Sequence, residues 1–156
     1  MRVVVQNVLN ASVTIDNKLY SKIDRGFLLL VSFTEGDNKE IAEKLMRKII
    51  NLRIFQDENG KTNLNINSIN GEILSVSQFT LYADYVHGNR PSFMKCLKPD
   101  LANELYNYFN ELLIKEGYVV KTGIFGADMK VSLVNDGPFT MIIDSKEMNL
   151  WKLCLD

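Results

Sequence analysis

The sequence predicts an α+β fold, a set of antiparallel strands with two main helices packed on one face. Three observations predict it. Short strand-like segments fill both ends of the chain, residues 2–23 and 118–144. Two stretches between them, 37–52 and 99–117, carry apolar residues at helical spacing instead. No linker, repeat or low-complexity segment divides the 156 residues, so one domain over 1–156 is expected, long enough for a real core.

The elements follow in order. RVVVQNV and SVTIDNKLYSKI alternate and break at Asp16-Asn17, which suggests strands and a hairpin. GFLLLVSF is continuously apolar and reads as a buried strand. Asp37-x-x-Glu40 has the pattern of a capping box opening IAEKLMRKIINL, where Ile41, Leu45, Ile49 and Leu52 share a face. Asp57-Glu58-Asn59-Gly60 is a turn, EILSVSQFTLY (72–82) a long strand, and ADYVHGNRPS (83–92) an irregular loop. Pro99-Asp100 starts a second amphipathic helix carrying Leu101, Leu105, Tyr108, Leu112 and Leu113, and Gly117 stops it in the left-handed position. YVVKTGIF, MKVSLV and FTMIID read as closing strands.

Composition narrows the function classes. The chain is 46% apolar, and its 18 basic and 19 acidic side chains leave a net charge of −1. A protein that coats long stretches of nucleic acid is usually basic, so any such contact here is expected to be local, as with one end of an RNA. Cys96 and Cys154 lie far apart with no metal spacing and read as reduced cytosolic thiols. MRVVVQNVLN is broken by polar residues after three valines, unlike a signal peptide. The longest apolar run, FLLLV (27–31), is too short to span a membrane. A cytoplasmic protein is expected, and the Asn10-Ala11-Ser12 sequon carries no weight there.

Familiar catalytic machinery is missing. His87, in a loop, is the only histidine, and a Ser-His-Asp or Cys-His nucleophile would have to use it. No metal or cofactor is expected, because no cluster of metal-ligating residues and no Gly-rich phosphate loop is visible. Two segments stay unexplained. Ser77-Gln78-Phe79-Thr80 ends an otherwise aliphatic strand, either as a plain polar strand end or as a terminus presenting N–H groups and hydroxyls to a ligand. Asn135 to Thr140 reads NDGPFT, where Pro138 removes a backbone donor at the head of a strand; a simple turn is the bland reading.

Together the two segments resemble the motifs of the D-aminoacyl-tRNA deacylases, namely Ser-Gln-Phe-Thr (77–80) and Asn-x-Gly-Pro-x-Thr (135–140). RVVVQ, ASVTI, NLRIF, GNRPSF and FGADMKVSLVNDGP match as well, so the resemblance covers essentially the whole chain. It implies hydrolysis of the ester that joins a D-amino acid to the terminal adenosine of tRNA, and removal of glycine from mischarged tRNA. The partners implied are the 3′ acceptor end of aminoacyl-tRNA and a second copy of the chain, with no membrane and no DNA. The fold implied is an antiparallel, barrel-like β-structure with helices, working as a homodimer. Ser77, Gln78, Phe79 and Thr80 would form the catalytic segment, with the N–H groups of Phe79 and Thr80 holding the oxyanion. Asn135, Gly137, Pro138 and Thr140 would bind substrate in the neighbouring subunit. There a cis Gly137–Pro138 bond would aim two carbonyls at the aminoacyl group and reject the L hand. The free hydroxyl of the terminal ribose would help activate water.

The chain departs from the family where Asn7 stands in place of the usual Arg, which is thought to brace the Gly-Pro segment, and more mildly at Phe139. Ser77 and Phe79 match the D-specific branch. Two other classes remain open: a non-catalytic tRNA- or protein-binding module of the same fold, and a Thr80- or Cys96-dependent hydrolase of another ester. Arg90, Lys95 and Lys98 are possible phosphate contacts or plain solvated surface.

Overall fold

The structure, a computed structural model, describes residues 1–148, and Cys154 lies outside them. β1 (Arg2–Ile15) turns into β2 (Lys18–Ile23) through Asp16 and Asn17, whose φ angles are 50° and 62°. Two successive left-handed residues give the turn that matches strand twist, and Asp and Asn tolerate that region better than most residues. β3 (Gly26–Ser32) then pairs antiparallel with β1 from Arg2↔Ser32 to Val8↔Gly26.

α1 (Lys39–Ile50) follows, capped by Asn38, whose side chain accepts from the Ile41 N–H at 3.0 Å. The cap therefore lies one residue later than expected, and it is a simple N-cap rather than a capping box, since Ile41 stands where the box needs Glu or Gln. Asp37 is occupied elsewhere, accepting from the Thr34 N–H at 2.7 Å and from the Met1 amine at 2.5 Å. Ile41, Leu45 and Ile49 are buried as the spacing predicts. The small hairpin β4 (Phe55–Gln56) and β5 (Thr62–Leu64) spans the expected turn, where the Gly60 N–H bonds the Asp57 carbonyl at 3.0 Å.

β6 (Glu72–Ser77) runs parallel to β3, from Gly26↔Glu72 to Val31↔Ser77. It is shorter than expected because β3 ends at Ser32 and leaves no further partner. The chain folds instead into a 3-10 turn, Phe79–Tyr82. α2 (Pro99–Lys115) begins at Pro99 and is followed by Gly117 at φ 95°, as predicted. Its buried stripe is Ala102, Leu105, Tyr106, Phe109 and Leu113, while Leu101 is exposed. Two large aromatics rather than the leucines alone define the face. Of YVVKTGIF only β7 (Val120–Thr122) is strand, and it runs parallel to β6.

The sheet is thus mixed rather than antiparallel. α1 and α2 supply the reason, since each lies in a crossover, and a parallel pair needs one. MKVSLV and FTMIID form a single strand, β8 (Lys130–Asp144), antiparallel along the length of β1. The order β2-β1-β3-β6-β7, with β8 also on β1, curls until the Ser21 hydroxyl donates to the Thr122 carbonyl at 2.8 Å. This nearly closes a barrel-like sheet with two helices. β3 is apolar throughout because both its faces are covered. Phe27, Leu29 and Val31 pack in one core with α1 and α2, while Leu28 packs in a second core with Val8, Val13, Leu74 and Val76. Among the described residues no helix is long and apolar enough to cross a membrane.

Candidate active site

The first motif sits where the β3–β6 ladder runs out. The Gln78 N–H makes the last rung, to the Val31 carbonyl at 2.8 Å. The next amide to bond is Leu81, to the Gln78 carbonyl at 3.3 Å. A 3-10 turn cannot satisfy its own first donors, so the N–H groups of Phe79 and Thr80 lie at its open end. The Phe79 carbonyl is held from behind by the Ser32 hydroxyl and the Cys96 thiol, each at 3.3 Å. The Gln78 amide donates to the Thr80 hydroxyl at 2.5 Å. The Phe79 ring is 53% exposed and meets Phe93 edge-on at 5.0 Å.

A cavity of about 690 Å³ opens beside this turn, lined among others by Ser77, Gln78, Phe79, Cys96, Phe125 and Met129. Its outer wall is anchored by the buried Thr34, whose hydroxyl donates to the Lys95 carbonyl at 2.5 Å, and by the Leu97 N–H on the Phe33 carbonyl at 3.0 Å. Lys95 pairs with Asp84 at 2.8 Å, Lys98 lines the cavity, and Arg90 is exposed. Burial pushes the Cys96 thiol above its usual pKa, so it is a protonated donor rather than a thiolate. His87 is exposed and makes no hydrogen bond or ion pair with a described residue. Phe93, Phe125 and Met129 fall within the GNRPSF and FGADMKVSLVNDGP matches, but sequence reading assigns them no role in the site, since only folding brings these separate loops to the turn.

The second motif is a departure from the β1–β8 ladder. Pairing stops at Gln6↔Thr140 and resumes at Val8↔Asn135, so residues 136–139 bulge opposite Asn7. Pro138 lies in the bulge, where no rung needs its missing donor. The Gly137–Pro138 bond is cis, and Gly137 takes φ 125°. Both residues are exposed. The Asn135 amide closes the bulge by donating to the Asn7 carbonyl at 2.9 Å and to the Phe139 carbonyl at 3.0 Å. The Thr140 hydroxyl donates to Asn135 Oδ1 at 3.3 Å and accepts from the Gln6 amide at 3.2 Å.

Asn7 itself is buried, and its Nδ2 donates to the Ile54 carbonyl at 2.7 Å. Its backbone carbonyl, not its side chain, meets the bulge. A second cavity of about 90 Å³ lies here, lined by Asn7, Arg25, Asp136, Gly137 and Phe139 among others. The two motifs therefore line separate cavities of one chain.

Comparison with known proteins agrees with this architecture. The family described as D-Tyr-tRNA(Tyr) deacylase matches residues 4–144. The D-aminoacyl-tRNA deacylase of Lactobacillus gasseri is 56% identical over 144 residues, covering 92% of this chain and 99% of that protein. The D-aminoacyl-tRNA deacylase of Flavobacterium psychrophilum is 56% identical over 147 residues, covering 94% of this chain and 98% of that protein. Among solved structures, that of the c-Myc DNA Unwinding Element Binding Protein superposes with TM-score 0.87 at 40% identity, covering 92% of this chain and 98% of the other. A probable eukaryotic D-amino acid tRNA deacylase shares the fold with TM-score 0.80 at 18% identity, over 92% of this chain and 98% of its own.

Proposed function

We propose a mechanism from the premise that this chain belongs to the D-Tyr-tRNA(Tyr) deacylase family and is a hydrolase acting on D-aminoacyl-tRNA. The aminoacyl ester at the 3′ end of the tRNA enters the cavity beside Ser77–Thr80. The N–H groups of Phe79 and Thr80 hold the developing oxyanion, and one such donor is worth about 3–4 kcal/mol. An aminoacyl ester is already activated, so orientation and charge stabilisation suffice. The free hydroxyl beside the ester on the terminal ribose helps to activate water. No side chain need act as a nucleophile: the Thr80 hydroxyl is engaged by Gln78, and the Cys96 thiol is kept protonated by burial.

The observation that carries this reading is the 3-10 turn itself, which opens two backbone donors beside a cavity of substrate size. The Gly137–Pro138 segment lines a different cavity of its own chain. In the homodimer we infer, it serves the neighbour's site, where its carbonyls accept from the substrate amino group and crowd the α-carbon. An L side chain meets them, a D side chain points away, and glycine has nothing to reject. Exposed Leu9, Val134 and Ile142 on the β1–β8 ladder offer apolar surface for the second copy.

Deacylation of matched D-Tyr-tRNA and L-Tyr-tRNA tests the reading. D-Tyr-tRNA and glycyl-tRNA are expected to be hydrolysed and L-Tyr-tRNA spared. A D-Tyr-tRNA lacking the free ribose hydroxyl should be a poor substrate. Comparable rates for both hands would defeat the chiral filter. No hydrolysis of either would favour a binding module of the same fold.

A further inference from the structure

The small cavity behind the Gly-Pro bulge brings together three polar residues, one of them with an unmet hydrogen-bond demand. Asn7 Oδ1 is buried there with no hydrogen-bond partner. The Asp136 carboxylate and the Arg25 guanidinium line the same space, and neither forms an ion pair among the described residues. A buried acceptor without a donor is costly, and a carboxylate two residues from Pro138 is an obvious second partner for a cation.

Arg25 is placed to answer both. Its backbone is fixed where β2 meets β3, because its carbonyl accepts from the Glu72 N–H at 3.0 Å. Gly26, directly after it, lies so close to Glu72 that a β-carbon would fall 1.8 Å from the Glu72 carbonyl oxygen. From that anchor the guanidinium lies 5.6 Å over the ring of the buried Phe55, which is stacked on Phe27 at 5.1 Å. The aromatic surface supports a flat cation at the cavity wall. A cavity of about 90 Å³ leaves room for the fork-shaped end of the side chain to settle inwards.

We propose that Arg25 is a positioning residue for the chiral filter: its guanidinium donates to Asn7 Oδ1 and the Asp136 carboxylate, bracing the Gly137–Pro138 segment from behind. This rests on the role of that segment given above. Arg25 touches no substrate in this scheme, and its effect reaches the reaction only through the orientation of the bulge.

The test uses the full-length dimer and the ratio of kcat/KM for D-Tyr-tRNA to that for L-Tyr-tRNA. Arg25→Ala and Arg25→Gln should each narrow the ratio roughly tenfold, the loss expected for one charge-assisted hydrogen bond. Arg25→Lys should recover part of it. Asp136→Ala should narrow the ratio similarly, and Arg25→Ala combined with Asp136→Ala should add little, since both remove one interaction. A ratio within twofold of the parent in both Arg25→Ala and Arg25→Gln, or full additivity with Asp136→Ala, overturns the proposal. Because Arg25 is exposed, folding should survive, and Arg25→Gln keeps the test valid if Arg25→Ala does not fold. Failure of the underlying reading looks different, because the parent protein itself would then show no D-over-L preference.

Discussion

The side-chain amide of Asn135 donates to the main-chain carbonyl of Asn7 across 128 residues of sequence, and the same nitrogen reaches Phe139 across the bulge. One amide thus pins both mouths of the Gly-Pro bulge, and it uses only the backbone of residue 7. This explains how an asparagine is accommodated where the resemblance implies arginine. Its carbonyl meets the motif while its Nδ2 turns away to Ile54.

Asn135→Ala should therefore lose the closure of the bulge. Two hydrogen bonds to carbonyls disappear, at about 0.5–1.5 kcal/mol each. Thermal unfolding should fall by several degrees, and turnover of D-Tyr-tRNA should fall more than stability does. Unchanged turnover in a folded Asn135→Ala protein would mean that the bulge needs no such pin.

Thr80→Ala should retain most of its deacylase activity, within about tenfold of the parent, because the proposed work is done by backbone N–H groups that the substitution leaves in place. Single-turnover deacylation measures this. A dead but folded Thr80→Ala protein, with an acyl group trapped on Thr80 of the parent, would establish covalent catalysis instead.

Cys96 should behave as a half-buried structural thiol. Burial raises its pKa, so less thiolate is present at any given pH than for a free cysteine near ~8.5. In a Cys154→Ser background, the pH profile of iodoacetamide alkylation should have its midpoint above that of free cysteine. Cys96→Ala should keep D-Tyr-tRNA hydrolysis. A midpoint below the free value would mark an activated nucleophile.

The protein should sediment at twice its 17.8 kDa chain mass at micromolar concentration. Charged substitutions at Val134 and Ile142 should shift it towards the single-chain mass and reduce turnover together, because the proposed site takes a segment from each copy. A fully active single-chain species would defeat the shared site.

Gly26→Ala should be severely destabilising. The added methyl would meet the Glu72 backbone at 1.8 Å, and the φ of 159° is strained for alanine. Overpacking against backbone costs about 3 kcal/mol, or roughly 6–12 °C in Tm for a chain of this size. Calorimetry showing a shift under 2 °C would mean that β3 and β6 can separate locally.

The sequence by itself determined the α+β class, the presence of both helices, the ends of α2 at Pro99 and Gly117, the hairpin at Asp16-Asn17, and the two motifs at 77–80 and 135–140. All of these are local, set by turn chemistry, by periodicity, or by residues a few positions apart. Tertiary structure alone decided the direction of β6 and β7, because an apolar run reads the same whether its neighbour is parallel or antiparallel. It alone ended β6 at Ser77, since β3 ran out there, and it alone merged MKVSLV with FTMIID, since β1 is long enough to pair with both. It alone placed the Ser77–Thr80 turn beside Phe93, Phe125 and Met129, and set Asn7, Arg25 and Asp136 around one cavity. The physical reason is the same in each case: these contacts join residues tens of positions apart, and the packing of the whole chain, rather than any local preference, selects which of them meet.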